Sequence, residues 1–252
     1  MTAQFAQMGT VATVAALGLT MLVVERIHPG REFPRVSGWL VRAIWINSVQ
    51  VGTVIGTGLI WNRWLRFHSA WSSDGFGTLD GAILGYFAIT FVYYWWHVAR
   101  HRSDFLWRWL HQVHHSAQRL EVLTAFYKRP AEIVADTLIG SVLLYAVMGL
   151  PPISAAFAML LSGLAELFYH WNVQTPYWLG FIFQRPESHL VHHQEGLHDY
   201  NYADLPLWDI VFGTFRNPRE WHGRCGLGDQ NEHRVVEMLL GIDVWKSGRN
   251  IR

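Results

Sequence analysis

The sequence predicts an all-α integral membrane bundle of four to five apolar helices, capped on its cytoplasmic side by a histidine-rich helical layer. Two observations carry this expectation. Hydrophobic residues make up 51% of the 252 and charged residues only 15%, against about 25% charged in soluble domains. The fourteen histidines gather at the ends of long apolar runs instead of scattering. Mean hydropathy is only modestly positive, at +0.12, because the polar residues are concentrated.

The runs follow one another in order. The first spans residues 8–24 and stops at Glu25-Arg26, long enough to cross a bilayer with little slack. No basic region precedes it and no small-residue cleavage site follows, so it reads as a retained span. A proline-marked polar loop, residues 27–35, leads to the second run from Trp39 to Trp61. Asn47, Ser48 and Gln50 within it are expected to face other helices. The third, Leu79 to Trp96, ends in Tyr93-Tyr94-Trp95-Trp96, an aromatic cluster suited to a membrane–water interface. Pro130 opens the next region, which Gly149, Pro151 and Pro152 divide into two halves, the second ending near Phe168. That pattern predicts a helical hairpin with its tip inside or across the bilayer. Arg26, Arg31, Arg35, Arg100, Arg102, Arg108, Lys128 and Arg129 fall in two loops on one side, and the positive-inside rule makes that side cytoplasmic. Arg63 and Arg66 fall on the other side and oppose this assignment. With no repeat or low-complexity linker, residues 1–252 are expected to form a single membrane-embedded domain.

Composition also excludes functions. A net charge of +1 and the lack of basic tracts argue against nucleic acid as a partner. The single cysteine, Cys225, rules out an internal disulfide, a Cys-based zinc site and a Cys-ligated iron–sulfur cluster. Any metal must be held by His, Asp or Glu.

Three histidine clusters supply such ligands: His97-x-x-x-His101, His111-x-x-His114-His115 and His189-x-x-His192-His193, with His170 closing the hairpin. Residues three and four apart share a helix face, with Cβ atoms about 5–6 Å apart, so paired imidazoles reach one metal or two adjacent ones. Nine imidazoles from four segments exceed the about four ligands of a tetrahedral zinc site. Two ions of higher coordination use the set and leave positions for oxygen. Iron is the expected metal, since zinc is redox-inert and a site beside apolar spans suits attack on unactivated C–H bonds. One such cluster alone reads equally well as a solvated surface helix; three at apolar boundaries do not. His28, His68, His222 and His233 stand alone and are read as non-ligands. His198, just past the third cluster, is a possible ligand or supporting group.

These motifs resemble the fatty acid hydroxylase/sterol desaturase superfamily. The order of boxes, with a hydrophobic hairpin before the last, is similar to that family's. So are Asn201-Tyr202-Ala203 and Trp208-Asp209-Ile210-Val211-Phe212-Gly213-Thr214, with Ala203 where the family has glycine, and Glu25-Arg26-Ile27-His28-Pro29 near the start. The resemblance spans residues 25–216. It implies two iron ions, O2 as co-substrate, a membrane lipid as substrate, and electrons from a separate electron-transfer protein and its reductase. Some members carry a further ligand one turn before the hairpin histidine; here that place holds Glu166, a metal ligand or an orienting group for His170, unless it pairs with an arginine such as Arg185.

The reading is therefore an O2-dependent lipid hydroxylase. A desaturase on the same scaffold is the alternative. A non-catalytic metal-binding or transport protein is disfavoured, because transport places ionisable groups near mid-span. A zinc hydrolase is disfavoured by the missing His-Glu-x-x-His motif. Asp199, Asn201 and Asp209 are candidate acceptors for imidazole N–H groups, or else turn and helix caps. Trp107, Trp109 and Tyr127 are candidates for the substrate path, or else interfacial anchors. Substrate, regiochemistry and oligomeric state are not encoded legibly.

Overall fold

The computed structural model describes residues 3–69, 75 and 77–249. The expected 1–252 span therefore has its extreme termini outside the described residues. Among the described residues five helices are long and apolar enough to cross a membrane, which makes this a multi-pass membrane protein. Three are unbroken: α1 (Ala3–Ile27), α2 (Trp39–Phe67) and α3 (Thr78–Arg102). Between α3 and the hairpin lie α4 (Asp104–Leu106), a π-helical turn (Trp107–His111) and α5 (Gln112–His115). The hairpin is α6 (Pro130–Ser141), extended by a π-helical stretch to Val147, and α7 (Pro152–His170). It crosses the bundle fully, and its tip turns through Gly149 at φ 61° before Pro152 opens α7. Short helices α8 (Pro186–His192), α9 (Pro206–Phe212), α10 (Val235–Leu239) and α11 (Val244–Arg249) follow. Among the described residues no strand forms; one isolated bridge pairs Gln194 with Cys225.

The spans alternate in direction, so the end of α1, the start of α2, the end of α3, the start of α6 and the end of α7 all meet the cap. Leu19, Val23, Leu40, Trp45 and Leu79 on the outer faces are exposed, as apolar surface facing lipid is. Small residues let helices approach where lipid offers no hydrophobic drive to pack. At Gly85 on α3, a Cβ would lie 2.9 Å from Leu150 and 3.1 Å from Ala158.

Buried carboxylates tie bundle to cap. Glu121, 2% exposed, accepts from Arg26, Arg119 and Trp39 Nε1. Glu25 accepts from the Val122 and Asn172 N–H groups, Glu187 from Arg31 and Thr175, and Glu232 from Arg42 and the Gln118 N–H. Such groups are tolerated inside only when paired and hydrogen-bonded. Several arginines that read as topology signals are thus spent internally: Arg26, Arg31 and Arg100 pair with buried glutamates, and Lys128 with Glu166.

Candidate metal centre

The four histidine-bearing segments meet where α3, α7 and the cap converge. All nine sequence-predicted histidines come together, in two groups whose ligand atoms lie within 4.8 Å of one another. The first holds His97, His101, His111, His115 and His192; the second holds His114, His170, His189 and His193. The groups share a wall, with His115 stacked on His193 at 4.3 Å and His189 on His192 at 5.1 Å.

Helix geometry explains the division. His97 and His101 sit one turn apart on α3, so both rings reach the same group. In each His-x-x-His-His box the three rings spread around the helix and serve both groups. The second box sends His111 and His115 to the first group and His114 to the second. The third box sends His192 to the first and His189 with His193 to the second. The π turn ending at His111 widens the helix at that box; such turns recur at functional sites.

The ring nitrogens meet face to face. His97 Nε2 is 3.0 Å from His111 Nε2, which is 3.1 Å from His115 Nε2. In the second group, His189 Nε2 lies 3.2 Å from His170 Nε2 and 3.1 Å from His193 Nε2. The other ring nitrogen fixes the tautomer. His97 Nδ1 donates to the Tyr202 carbonyl at 2.8 Å, His111 Nδ1 to the Glu132 carboxylate at 2.7 Å, His170 Nδ1 to the Glu166 carbonyl at 2.8 Å, and His192 Nδ1 to the Tyr200 carbonyl at 2.8 Å. Each of these neutral rings then presents a bare Nε2 lone pair to the centre of its group. Neither His97 nor His111 has a proton to offer across their 3.0 Å contact. Buried His101 Nε2 and His192 Nε2 have no hydrogen-bond partner among the described residues. Facing lone pairs repel unless a cation lies between them. Imidazole–metal bonds of about 2.1 Å at right angles put neighbouring nitrogens about 3.0 Å apart. The residues therefore fit metal ions, one per group.

Electrostatics agree. Burial, reinforced by neighbouring imidazoles and basic side chains, holds His111, His114, His115, His189 and His193 well below the usual histidine range. Burial brings His192 down to about 3. These rings are neutral at physiological pH, the form that binds metal.

The remaining candidates fall elsewhere. The Glu166 carboxylate pairs with Lys128, not with Arg185 and not with either group of ligand atoms; it is the Glu166 backbone carbonyl that orients His170. Arg185 instead donates to the Thr175 and Pro218 carbonyls. His198 lies beside the first group, its ring 4.8 Å from that of His115, but its Nδ1 donates to the His192 carbonyl and it joins neither group. Asp199 is exposed and, among the described residues, forms no hydrogen bond to an imidazole. Asn201 holds φ 55°, a left-handed conformation that asparagine tolerates. Its amide binds the Ser188 and Arg216 backbones, not a ring. Asp209 accepts from the Tyr202 and Ala203 N–H groups and from Thr214, so it supports His97 at one remove, through the loop that carries the Tyr202 carbonyl. Trp107 packs over His101 and His115. Trp109 lies at the surface against Arg129 and Gly241. Tyr127 is fully buried, accepts from Arg42 and packs on Trp39. Neither of the last two belongs to the histidine groups.

Sequence reasoning missed Glu132 and Gln184. Glu132 is fully buried, receives the His111 N–H and pairs with Arg100. Gln184 places its amide 2.9 Å from His189 Nδ1. A glutamate two residues after Pro130, at the mouth of an apolar run, was the available signal for the first; nothing marked the second.

Fold and site together define a membrane protein built around paired histidine clusters. The chain belongs to the fatty acid hydroxylase family, which matches residues 82–214. It is similar to the ornithine lipid hydroxylase OlsE of Rhizobium tropici, 29% identical over 68% of this chain and 54% of that protein. It is similar to a very-long-chain aldehyde decarbonylase of Oryza sativa subsp. indica, at 28% identity over 67% of this chain and 28% of that one. An alkylglycerol monooxygenase of Caenorhabditis elegans is 27% identical over 64% of this chain and 31% of its own length. The chain thus spans about half or less of each of these relatives. No solved structure matches it.

Proposed function

We propose that this chain is an O2-dependent di-iron hydroxylase of membrane lipids, with His97, His101, His111, His115 and His192 holding one ion and His114, His170, His189 and His193 the other. The observation that carries the proposal is the meeting of imidazole Nε2 atoms at 3.0–3.3 Å in two adjoining groups, with those of His97, His111, His170 and His192 left bare because Nδ1 donates elsewhere. Iron held there supplies the reductive activation of O2 that oxidation of an unactivated C–H bond needs.

The chain's own residues do the rest. The Tyr202, Glu166 and Tyr200 carbonyls and the Glu132 carboxylate fix ring orientation and raise imidazole basicity. Trp107 and Tyr202 cover the first group with apolar surface and keep bulk water off it. Residues 1–252 act as one domain in this reading, and the cap is read as cytoplasmic, which the exposed Arg35 and Arg102 support. A separate electron-transfer protein with its reductase supplies the electrons, and the substrate reaches the site from the bilayer.

The test combines metal analysis with labelled oxygen. Purified protein should hold about two irons per chain, and cells making it should contain a lipid that gains one labelled oxygen atom. A lipid that loses two hydrogens and gains no label would identify a desaturase. Bound metal without any oxygen consumption would leave a metal-binding protein, and one tightly held zinc would favour hydrolysis.

A further inference from the structure

The short helix α9 lies along the outer face of α3. Trp208 packs on Phe87 and Phe91 at 4.9 and 5.0 Å and donates its Nε1–H to Thr90. Phe212 packs on Tyr94 and Trp95 at 5.1 and 4.8 Å. The spans themselves fix the level of these contacts. Thr90 is twelve residues, about 18 Å, from the start of α3 at Thr78, and seven residues, about 10 Å, short of His97. The hydrocarbon layer is about 30 Å thick, so a layer entered at Leu79 reaches Val98 and takes in the whole contact with α9. α7 gives the same level independently. Asp204, two residues before α9, accepts from Ser162 at 3.0 Å and from Tyr169 at 3.1 Å. Ser162 lies eight residues, about 12 Å, before His170.

The outward surface is what that depth requires. Leu207, Ile210 and Val211 of α9 are exposed, as are Phe181 and Ile182 of the neighbouring segment, which begins with the 3-10 turn Tyr177–Phe181. This apolar face continues into the exposed Ile83, Phe87 and Phe91 of α3. Within residues 177–183 and 205–212 the one charged side chain is that of Asp209. It is fully buried and accepts from the Tyr202 and Ala203 N–H groups and from Thr214. Irregular backbone persists at membrane depth only where protein buries and satisfies it, and residues 201–204 are buried on this carboxylate. The first charged side chains past α9, Arg216 and Arg219, are exposed and lie over the Tyr200 and Tyr177 rings at 4.2 and 4.4 Å. Aromatic and basic groups together suit the headgroup border.

We propose that α9 and residues 177–183 form a re-entrant platform immersed in the hydrocarbon layer beside α3, with the acyl chains of the bilayer as the partner of their exposed face. The platform enters and leaves on the cap side, so it adds no span to the five. Asp209 anchors the loop whose Tyr202 carbonyl orients His97, so lipid contact and the first histidine group share one loop. Immersion itself requires neither bound metal nor the hydroxylase reading.

The probe is the fluorophore bimane on single added cysteines in the full-length protein, held in phosphatidylcholine nanodiscs that leave both faces open to solutes. The wild type, whose one cysteine is buried, gives the background. Ile210→Cys and Ile182→Cys report on the platform, Ile83→Cys on the lipid face of α3, and Glu220→Cys on water, since that side chain is 81% exposed. Bimane at positions 210 and 182 should lose most of its emission to phosphatidylcholine brominated along its chains, as at 83, and little to aqueous iodide. At 220 the order should reverse. Iodide quenching at 210 or 182 to the level at 220 would overturn the proposal by placing that segment in water. Protection from both quenchers, or disulfide crosslinking of two copies through the added cysteines, would overturn it by making the face a contact between chains. Each position is read by itself, so a variant that fails to fold leaves the other to decide.

Discussion

Replacing Glu132 separates positioning from ligation at the metal centre. This carboxylate is fully buried, accepts the His111 Nδ1 proton at 2.7 Å, and pairs with the Arg100 guanidinium. Glu132→Ala leaves Arg100 with Asp136 as its remaining acidic neighbour, 3.7 Å away. Breaking a buried ion pair by removing one partner costs about 3–5 kcal/mol, so this variant should unfold markedly earlier in detergent. Glu132→Gln is the sharper probe, because the amide keeps the volume and an oxygen acceptor while removing the charge. His111 then keeps an acceptor for its Nδ1 proton but loses the anion that strengthens its Nε2 as a donor. Losses of this kind lower metal affinity about 10–100-fold. The assay is competition with a graded series of chelators, read by metal analysis, with the thermal midpoint recorded in parallel. An unchanged chelator midpoint in a folded Glu132→Gln protein would refute the argument, since His111 would then need no support from this side.

Other substitutions divide ligands from neighbours. His192→Ala should lose metal, whereas His198→Ala, whose ring lies beside the first group without joining it, should keep both ions; equal losses would make His198 a ligand. Glu166→Gln should retain metal, because its carboxylate faces Lys128 while its backbone carbonyl still orients His170; loss of one ion would show that the side chain swings onto the centre. Glu121→Gln should change stability with pH. Burial raises the Glu121 carboxyl, but Arg119, Trp39 and Arg26 outweigh it and hold the group below its usual 4.5. A depressed folded value means the stabilisation is fully present above 4.5 and is lost as pH falls through the folded value. The wild type should weaken across that acid window and the glutamine variant should be flatter there; parallel melting curves against pH would rule out this role.

How much of this was legible follows from what each signal depends on. The spans were readable because a run of apolar residues with few charges has one stable fate in a bilayer. The nine histidines were readable because spacings of three and four have a fixed meaning on a helix. Which group each half of a box joins was not, since it depends on how α5 and α8 lie against α3 and α7. Orienting groups were harder still. The acceptors for His97, His170 and His192 are backbone carbonyls, which carry no residue identity to read. Asp199, Asn201 and Asp209 had the right chemistry near the right box, but the tight turn they build consumes the hydrogen bonds of Asn201 and Asp209 and leaves Asp199 exposed. Charge counting put two basic loops on one side of the bundle and yet overstated the free positive charge there, because Arg26, Arg31, Arg100 and Lys128 answer buried carboxylates.

The interleaving of the boxes has a mechanical consequence. If each box served one ion, the two ions would hold separate pairs of helices. Instead α5 and α8 each contribute to both groups, α3 enters only through the first, and α7 only through the second. Metal bound in both groups therefore links α3 to α7 through two cap helices of four and seven residues, far too short to be stable alone. Their order must come from packing and, under the proposed di-metal reading, from bound ions as well, since binding to a site formed only in the folded chain is folding free energy. The buried glutamates hold the same boundary from the other side, bringing the ends of α1, α2 and α6 to the loops that frame the boxes. His97, His111, His170 and His192, whose Nδ1 protons go to fixed carbonyls or to the Glu132 carboxylate, are then presented with their Nε2 lone pairs turned inward before any ion arrives. The cost of that convergence is repulsion between facing nitrogens, and it is relieved only when a cation enters.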